Sequence, residues 1–127
     1  MTVLDKIVQW NKERNNNEFD GSNECNMLGE ELDELILGYN RRSEHEMIDA
    51  LCDIIVVATG AIHKLGYNPN IAMNETLKEI SSRQQDPIQK DIWKKWGASG
   101  KWEKNKSQEP STLYKADYEK AKYEIHN

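Results

Sequence analysis

Glu46-Met47-Ile48-Asp49-Ala50-Leu51-Cys52-Asp53-Ile54-Ile55-Val56-Val57-Ala58 is the stretch on which the fold turns. Its acids recur at spacings of three and four. At about 100° per residue, Glu46, Asp49 and Asp53 therefore project within about 60° of one another on a helix. From Ile54 onward the segment is apolar on nearly every side, which is the pattern of a buried helix rather than a surface one. Ser43 caps this helix, with Glu46 at the reciprocal third position of a capping box. It runs through Leu51, Ile54, Ile55, Ala58 and Ile62 to a glycine stop at Gly66.

Reading outward, the preceding segment places Leu28, Leu32, Leu35, Ile36 and Tyr39 on one stripe of a second helix, capped by Ser22 or Asn23 and closed by Asn40-Arg41-Arg42. Further upstream, Val3, Leu4, Ile7, Val8 and Trp10 mark a first helix over about Val3 to Arg14, ended by Asn15-Asn16-Asn17 and Gly21. Downstream, Asn68-Pro69 opens a fourth helix with Asn as cap and Pro in the first turn. Its apolar positions are Ile71, Met73, Leu77 and Ile80, and it ends before Asp86-Pro87. Ile88, Ile92 and Trp96 allow a short fifth helix before the flexible joint Gly97-Ala98-Ser99-Gly100. The tail holds Tyr114, Tyr118 and Ala121, enough for a final turn or two. No stretch alternates as a strand does, so the expected fold is all-α.

The 127 residues suit one compact core with a peripheral tail. We expect residues 1–96 to form the helical domain and 97–127 an extension on the core or on a neighbouring subunit. The longest apolar run, from Ile54, is far short of the roughly 20 residues of a membrane span, and no secretory leader is visible, so cytoplasmic residence is expected. Cys25 and Cys52 have no Cys or His neighbours at zinc spacing and read as reduced thiols. Residues 1–77 carry 6 Lys and Arg against 14 Asp and Glu, whereas residues 78–127 carry 11 against 8. An acidic front half suits cations and argues against a duplex-binding surface. Trp93, Trp96 and Trp102 stand among Lys94, Lys95, Lys101 and Lys104, which reads as aromatic packing beside solvated lysines rather than a single-strand platform. No stable nucleic-acid partner is expected.

Glu31 and Glu34 lie about 60° apart on the flank of the second helix, with Glu30 nearby, and form one acidic edge, the third helix carrying a second. Carboxylates stacked this way repel one another, and taking them out of water costs several kcal/mol per uncompensated ion. Either several stay protonated or cations bind. Neither stripe carries Lys or Arg; Arg41 and Arg42 lie in the connecting turn. All-oxygen donors favour Mg²⁺ or Mn²⁺ over Zn²⁺. A carboxylate di-iron centre is excluded, because the chain has no Glu-x-x-His. Nor is there a Gly-rich phosphate loop, so metal ions would have to hold any phosphates.

Glu30-Glu31-x-x-Glu34, eleven intervening residues, then Glu46-x-x-Asp49 resembles the motif of the all-α nucleoside triphosphate pyrophosphohydrolases, the MazG-like superfamily. Ile48 to Gly60, with Asp53 four residues after Asp49 and Thr59-Gly60 following, is similar to its small phage and bacterial branch. The similarity covers about Trp10 to Arg83 and returns weakly at Gly100-Lys101-Trp102-Glu103-Lys104. It implies a four-to-five-helix bundle of the MazG-like type with an irregular or partly helical C-terminal tail. It also implies Mg²⁺ bound by Glu31, Glu34, Glu46 and Asp49, with Asp53 as an auxiliary acid. The implied reaction cleaves a (deoxy)nucleoside triphosphate to the monophosphate and pyrophosphate in nucleotide-pool housecleaning, and the implied assembly is a homodimer or tetramer. Such a protein would work in the cytoplasm of a bacterium or of a phage-infected host.

Within that reading, Glu34 or Glu31 orients or deprotonates water. Where relatives carry Asn-x-x-Lys near the end of the fourth helix, this chain has Ile80 and Arg83, so Arg83 or Lys78 would supply the cation for phosphate. Trp10, Gln9 and Tyr39 are the candidates for the base. The altered phosphate end leaves one rival, a non-catalytic nucleotide- or metal-binding module with the same fold. A third helix so apolar also needs more cover than four thin helices provide, and a second subunit would supply it.

Overall fold

The computed structural model describes residues 1–83 and 108–124. The expected fifth helix, the Gly97–Gly100 joint, the Trp93, Trp96 and Trp102 cluster and the 96/97 domain boundary lie outside the described residues. Among those described, four helices form and no strand: α1 (Val3–Glu13), α2 (Gly21–Asn40), α3 (Glu44–Lys64) and α4 (Pro69–Ser82). Two 3-10 turns, Pro110–Thr112 and Tyr118–Ala121, follow. The all-α expectation holds. None of the described helices is long and apolar enough to cross a membrane.

The chain folds as two compact units, one of Met1–Asn70 with Lys122–Asn127 and the other of Ile71–Ala121. In the first unit α1 starts with a complete capping box: the Asp5 amide donates to Thr2 Oγ1 and the Thr2 amide to Asp5 Oδ2. α2 starts earlier than expected. Asp20, not Ser22 or Asn23, is the cap, its carboxylate accepting from the Asn23 amide at 3.2 Å, and Gly21 is the first helical residue. An aspartate here satisfies an orphan donor and adds negative charge at the positive end of the helix dipole.

The link from α2 to α3 is only Arg41 to Ser43, so the two helices run antiparallel along their length. Arg42 adopts φ 54° to make the reversal. Gly38 lets the helices close at this end: a Cβ there would sit 3.1 Å from Cβ of Glu46 and from the Met47 amide nitrogen. Half of the predicted capping box at Ser43 forms. Ser43 Oγ accepts from the Glu46 amide at 3.3 Å, but the Ser43 amide donates to the Gly38 carbonyl and the Glu46 carboxylate turns to Arg41. α3 ends at Lys64, with Leu65 as cap and Gly66 at φ 95°.

α3 is not the wrapped helix that its composition predicts. Among the described helices of its own unit, α1 and α2 are the ones packed along it. Ile48, Leu51, Ile55 and Val56 are left between 40% and 57% exposed. Two neighbours cannot enclose a cylinder. The buried set is small and partly polar: Val8, Ala50, Thr59, Asn11, Glu24 and His63. Lys64 Nζ meets Glu24 Oε1 at 2.5 Å with both side chains almost fully buried. His63 Nε2 lies 2.8 Å from Asn17 Oδ1, which only accepts, so Nε2 carries the proton and Nδ1 accepts from the Tyr123 hydroxyl, also at 2.8 Å. The Tyr123 amide donates to the Gly66 carbonyl, so the chain's last described residues clasp the end of α3.

In the second unit α4, started by Asn68 and Pro69 as predicted, receives the tail. Glu75 is its anchor: the buried carboxylate accepts from the Tyr114 hydroxyl, the Asp117 amide and Lys78. Those donors, Tyr114 first, hold its carboxyl well below the usual carboxylate range. The Ser82 carbonyl accepts from the Gln108 side-chain amide, Ser82 Oγ from the Tyr114 amide, and the Glu79 carboxylate from the Ala116 amide.

Candidate functional site

The acids of α2 and α3 meet in the first unit because the helix period sets Glu31 and Glu34 on one flank and the tight link brings the α3 stripe opposite. Carboxylate oxygens of Glu31, Glu34 and Asp53 all lie within 4.8 Å of one another. Glu31 Oε2 is buried without a hydrogen-bond partner. Burial first, then hydrogen bonding and repulsion from Glu34 and Asp53, push the Glu31 carboxyl up to about 7. The trio is thus short of positive charge, as the sequence argument requires.

Beside it opens a cavity of about 210 Å³ lined by Glu34, Leu37, Arg41, Glu46 and Asp49. Glu34 belongs to both, so a continuous acidic surface runs from Asp53 to the α2–α3 link. Arg41 Nη1 lies 3.5 Å from Glu46 Oε1. Five predicted acids therefore assemble, divided into a tight trio and a cavity wall. Arg41 lies in the connecting turn, where the sequence puts it, but as the C-cap of α2 it stays seven residues from Glu34 on the same helix face. That spacing is the sequence signal for its place in the cavity.

The remaining candidates sit elsewhere. Gln9 donates to Glu13 and lines a cavity of about 300 Å³ with Asp5, Val8, Lys12, Asn68 and Tyr123. Trp10 carries the Arg14 guanidinium 4.2 Å over its ring and lines an apolar hollow with Val3, Lys6, Ile7 and Val56. Neither is among the residues lining the acidic cavity, and Tyr39 is exposed. In the second unit, Lys78 pairs with Glu75 at 3.2 Å and Arg83 with Glu79 at 3.3 Å. Both cysteines are free and exposed.

An antiparallel helical hairpin carrying facing carboxylates offers a set of oxygen donors of the kind a hard divalent cation takes. The model of the phosphoribosyl-ATP pyrophosphohydrolase family matches residues 6–84, and the chain belongs to that family. The family is all-α and of the MazG-like nucleoside triphosphate pyrophosphohydrolase type, in agreement with the resemblance carried by the acidic motif. No curated protein and no solved structure matches significantly.

Proposed function

We propose that this protein hydrolyses a (deoxy)nucleoside triphosphate to the monophosphate and pyrophosphate, using Mg²⁺ or Mn²⁺ held by Glu31, Glu34, Glu46 and Asp49. The observation that carries the reading is the Glu31, Glu34 and Asp53 trio with its orphaned buried oxygen, opening onto an acid-lined cavity. These donors fit the metal: they are all carboxylate oxygens, and the raised Glu31 carboxyl marks a place where added positive charge is favourable. A bound divalent ion supplies neutralisation of phosphate oxygens and a more acidic water.

The chain's own groups do the rest. Glu34, at the junction of trio and cavity, accepts the proton of the attacking water, with Glu31 as the alternative base and Asp53 as an auxiliary acid that keeps both oriented. The water oxygen bonds to the α-phosphorus, and the bond from that phosphorus to the bridging oxygen breaks. Pyrophosphate then leaves with the electron pair. The exposed Ile48, Leu51, Ile55 and Val56 face supports a homodimer or tetramer. Trp10 and Gln9 would then reach a base across the subunit contact. The catalytic part would be residues 1–96, with 97–127 an extension, in a cytoplasmic setting.

The test is a panel of ribo- and deoxynucleoside triphosphates, with phosphoribosyl-ATP included because the family is named for it, assayed for monophosphate and pyrophosphate with Mg²⁺ and after chelation. No product from folded, metal-replete protein sinks the enzyme reading. Because Lys78 and Arg83 are each held by a carboxylate of α4, a non-catalytic nucleotide-binding module is the second reading. Tight nucleotide binding without products selects it. Sedimentation equilibrium of active protein as a 14.8 kDa monomer would remove the oligomer.

A further inference from the structure

We infer that Arg41 is the phosphate-binding cation of this site, exchanging the Glu46 carboxylate for the triphosphate when metal occupies the acids. The inference rests on the hydrolase reading above and deepens it. A cavity walled by Glu34, Glu46 and Asp49 repels a polyphosphate even when metal neutralises part of the wall, and a fixed cation on the same wall offsets that repulsion. Arg41 is the cationic residue lining it.

The other described cations of the first unit near the helices are committed elsewhere. Lys64 is buried on Glu24, Arg14 is stacked on Trp10, and Lys6 and Lys12 line different hollows. Arg42 is absent from the cavity wall and is the residue whose φ of 54° turns the chain.

Arg41 is also free to switch. Its pair with Glu46 is long, at 3.5 Å, and both side chains are about half exposed, at 62% and 46%. Such pairs contribute little and are readily exchanged. Were Glu46 to ligate a divalent ion, Arg41 would be left with its guanidinium free, and that planar fork matches two phosphate oxygens. Metal loading and phosphate capture would thereby be coupled through one carboxylate, Glu46, which pairs with Arg41 in the free protein.

The experiment compares wild type, Arg41→Ala and Arg41→Lys in three measurements. These are KM against kcat, the affinity for a non-hydrolysable α,β-methylene triphosphate with Mg²⁺, and the affinity for Mg²⁺ alone by calorimetry. Arg41→Ala should raise KM and weaken the analogue by about tenfold or more, as expected for loss of a charge-assisted contact. The effect on kcat should be smaller. Mg²⁺ affinity should hold or rise, because Glu46 loses a competitor, and Arg41→Lys should recover part of the binding. If Arg41→Ala binds the analogue as wild type does while wild type turns over, the Arg41 assignment is wrong and the hydrolase reading stands. If Mg²⁺ affinity falls in step with the analogue, Arg41 acts through the metal ligands and the phosphate role is refuted. Wild type that neither cleaves nor binds nucleotides overturns both.

Discussion

Replacing Lys64 with Met should expose how much of the helical hairpin depends on one ion pair. Lys64 Nζ and Glu24 Oε1 are 2.5 Å apart, with side chains 5% and 4% exposed, and Glu24 Oε2 is already without a partner. The single substitution leaves a carboxylate in the interior with neither oxygen compensated, a loss worth about 3–5 kcal/mol. With an unfolding entropy of about 2.1 cal/mol/K per residue, that is a fall in Tm of about 10–20 °C for a chain of this length. Glu24→Leu should cost a similar amount by stranding the ammonium. The double variant Glu24→Leu with Lys64→Met should recover most of it, because an apolar pair of similar volume removes both desolvation penalties. Circular-dichroism melts and urea titrations of the four proteins give the coupling energy. A single-variant loss below about 1 kcal/mol, or a double variant as weak as the two singles added, would refute the reasoning, since either means the pair is solvated. Mg²⁺ affinity should be unchanged throughout, because Glu24 lies about two helical turns from Glu31.

Glu34→Gln and Asp49→Asn should each lower kcat/KM by about two orders of magnitude or more while leaving the helices formed, read by steady-state kinetics beside circular dichroism. Retained Mg²⁺-dependent turnover in Asp49→Asn would show the metal to be elsewhere. In metal-free protein the Glu31 carboxyl titrates at about 7, above its ordinary 4.5, so its contribution is fully present below about pH 4.5 and is lost as pH rises through 7. Urea midpoints should fall over that window in wild type, and Glu31→Gln or saturating Mg²⁺ should flatten the fall. His63 has the opposite sign: burial, then Lys12 and Lys64, hold its pKa below 6.5, so its contribution is lost as pH drops below 6.5. His63→Gln should flatten that acid limb, and an unaltered limb would show that the Tyr123 clasp does not sense His63.

The helical period alone places Glu31 and Glu34 on one flank of α2 and Glu46, Asp49 and Asp53 on one stripe of α3, because 3.6 residues per turn is a local property of the backbone. Ser43 as the α3 cap and Pro69 as the first turn of α4 are legible for the same reason. At the start of α2 local reasoning points to Ser22 or Asn23, whereas the cap is Asp20, whose carboxylate accepts from the Asn23 amide. What no local rule reaches is which surfaces meet. Glu24 finds Lys64 forty residues away, and His63 finds Tyr123 sixty residues away. Likewise, Glu46 gives up half its capping box to reach Arg41 across the link. Spacing makes an acidic edge, but the close approach at Gly38, where a Cβ would sit 3.1 Å from Glu46, and the three-residue link decide that two edges face each other. They bring one arginine into the acidic cavity and leave the apolar flank of α3 outward, since packing energy depends on shape complementarity between segments distant along the chain.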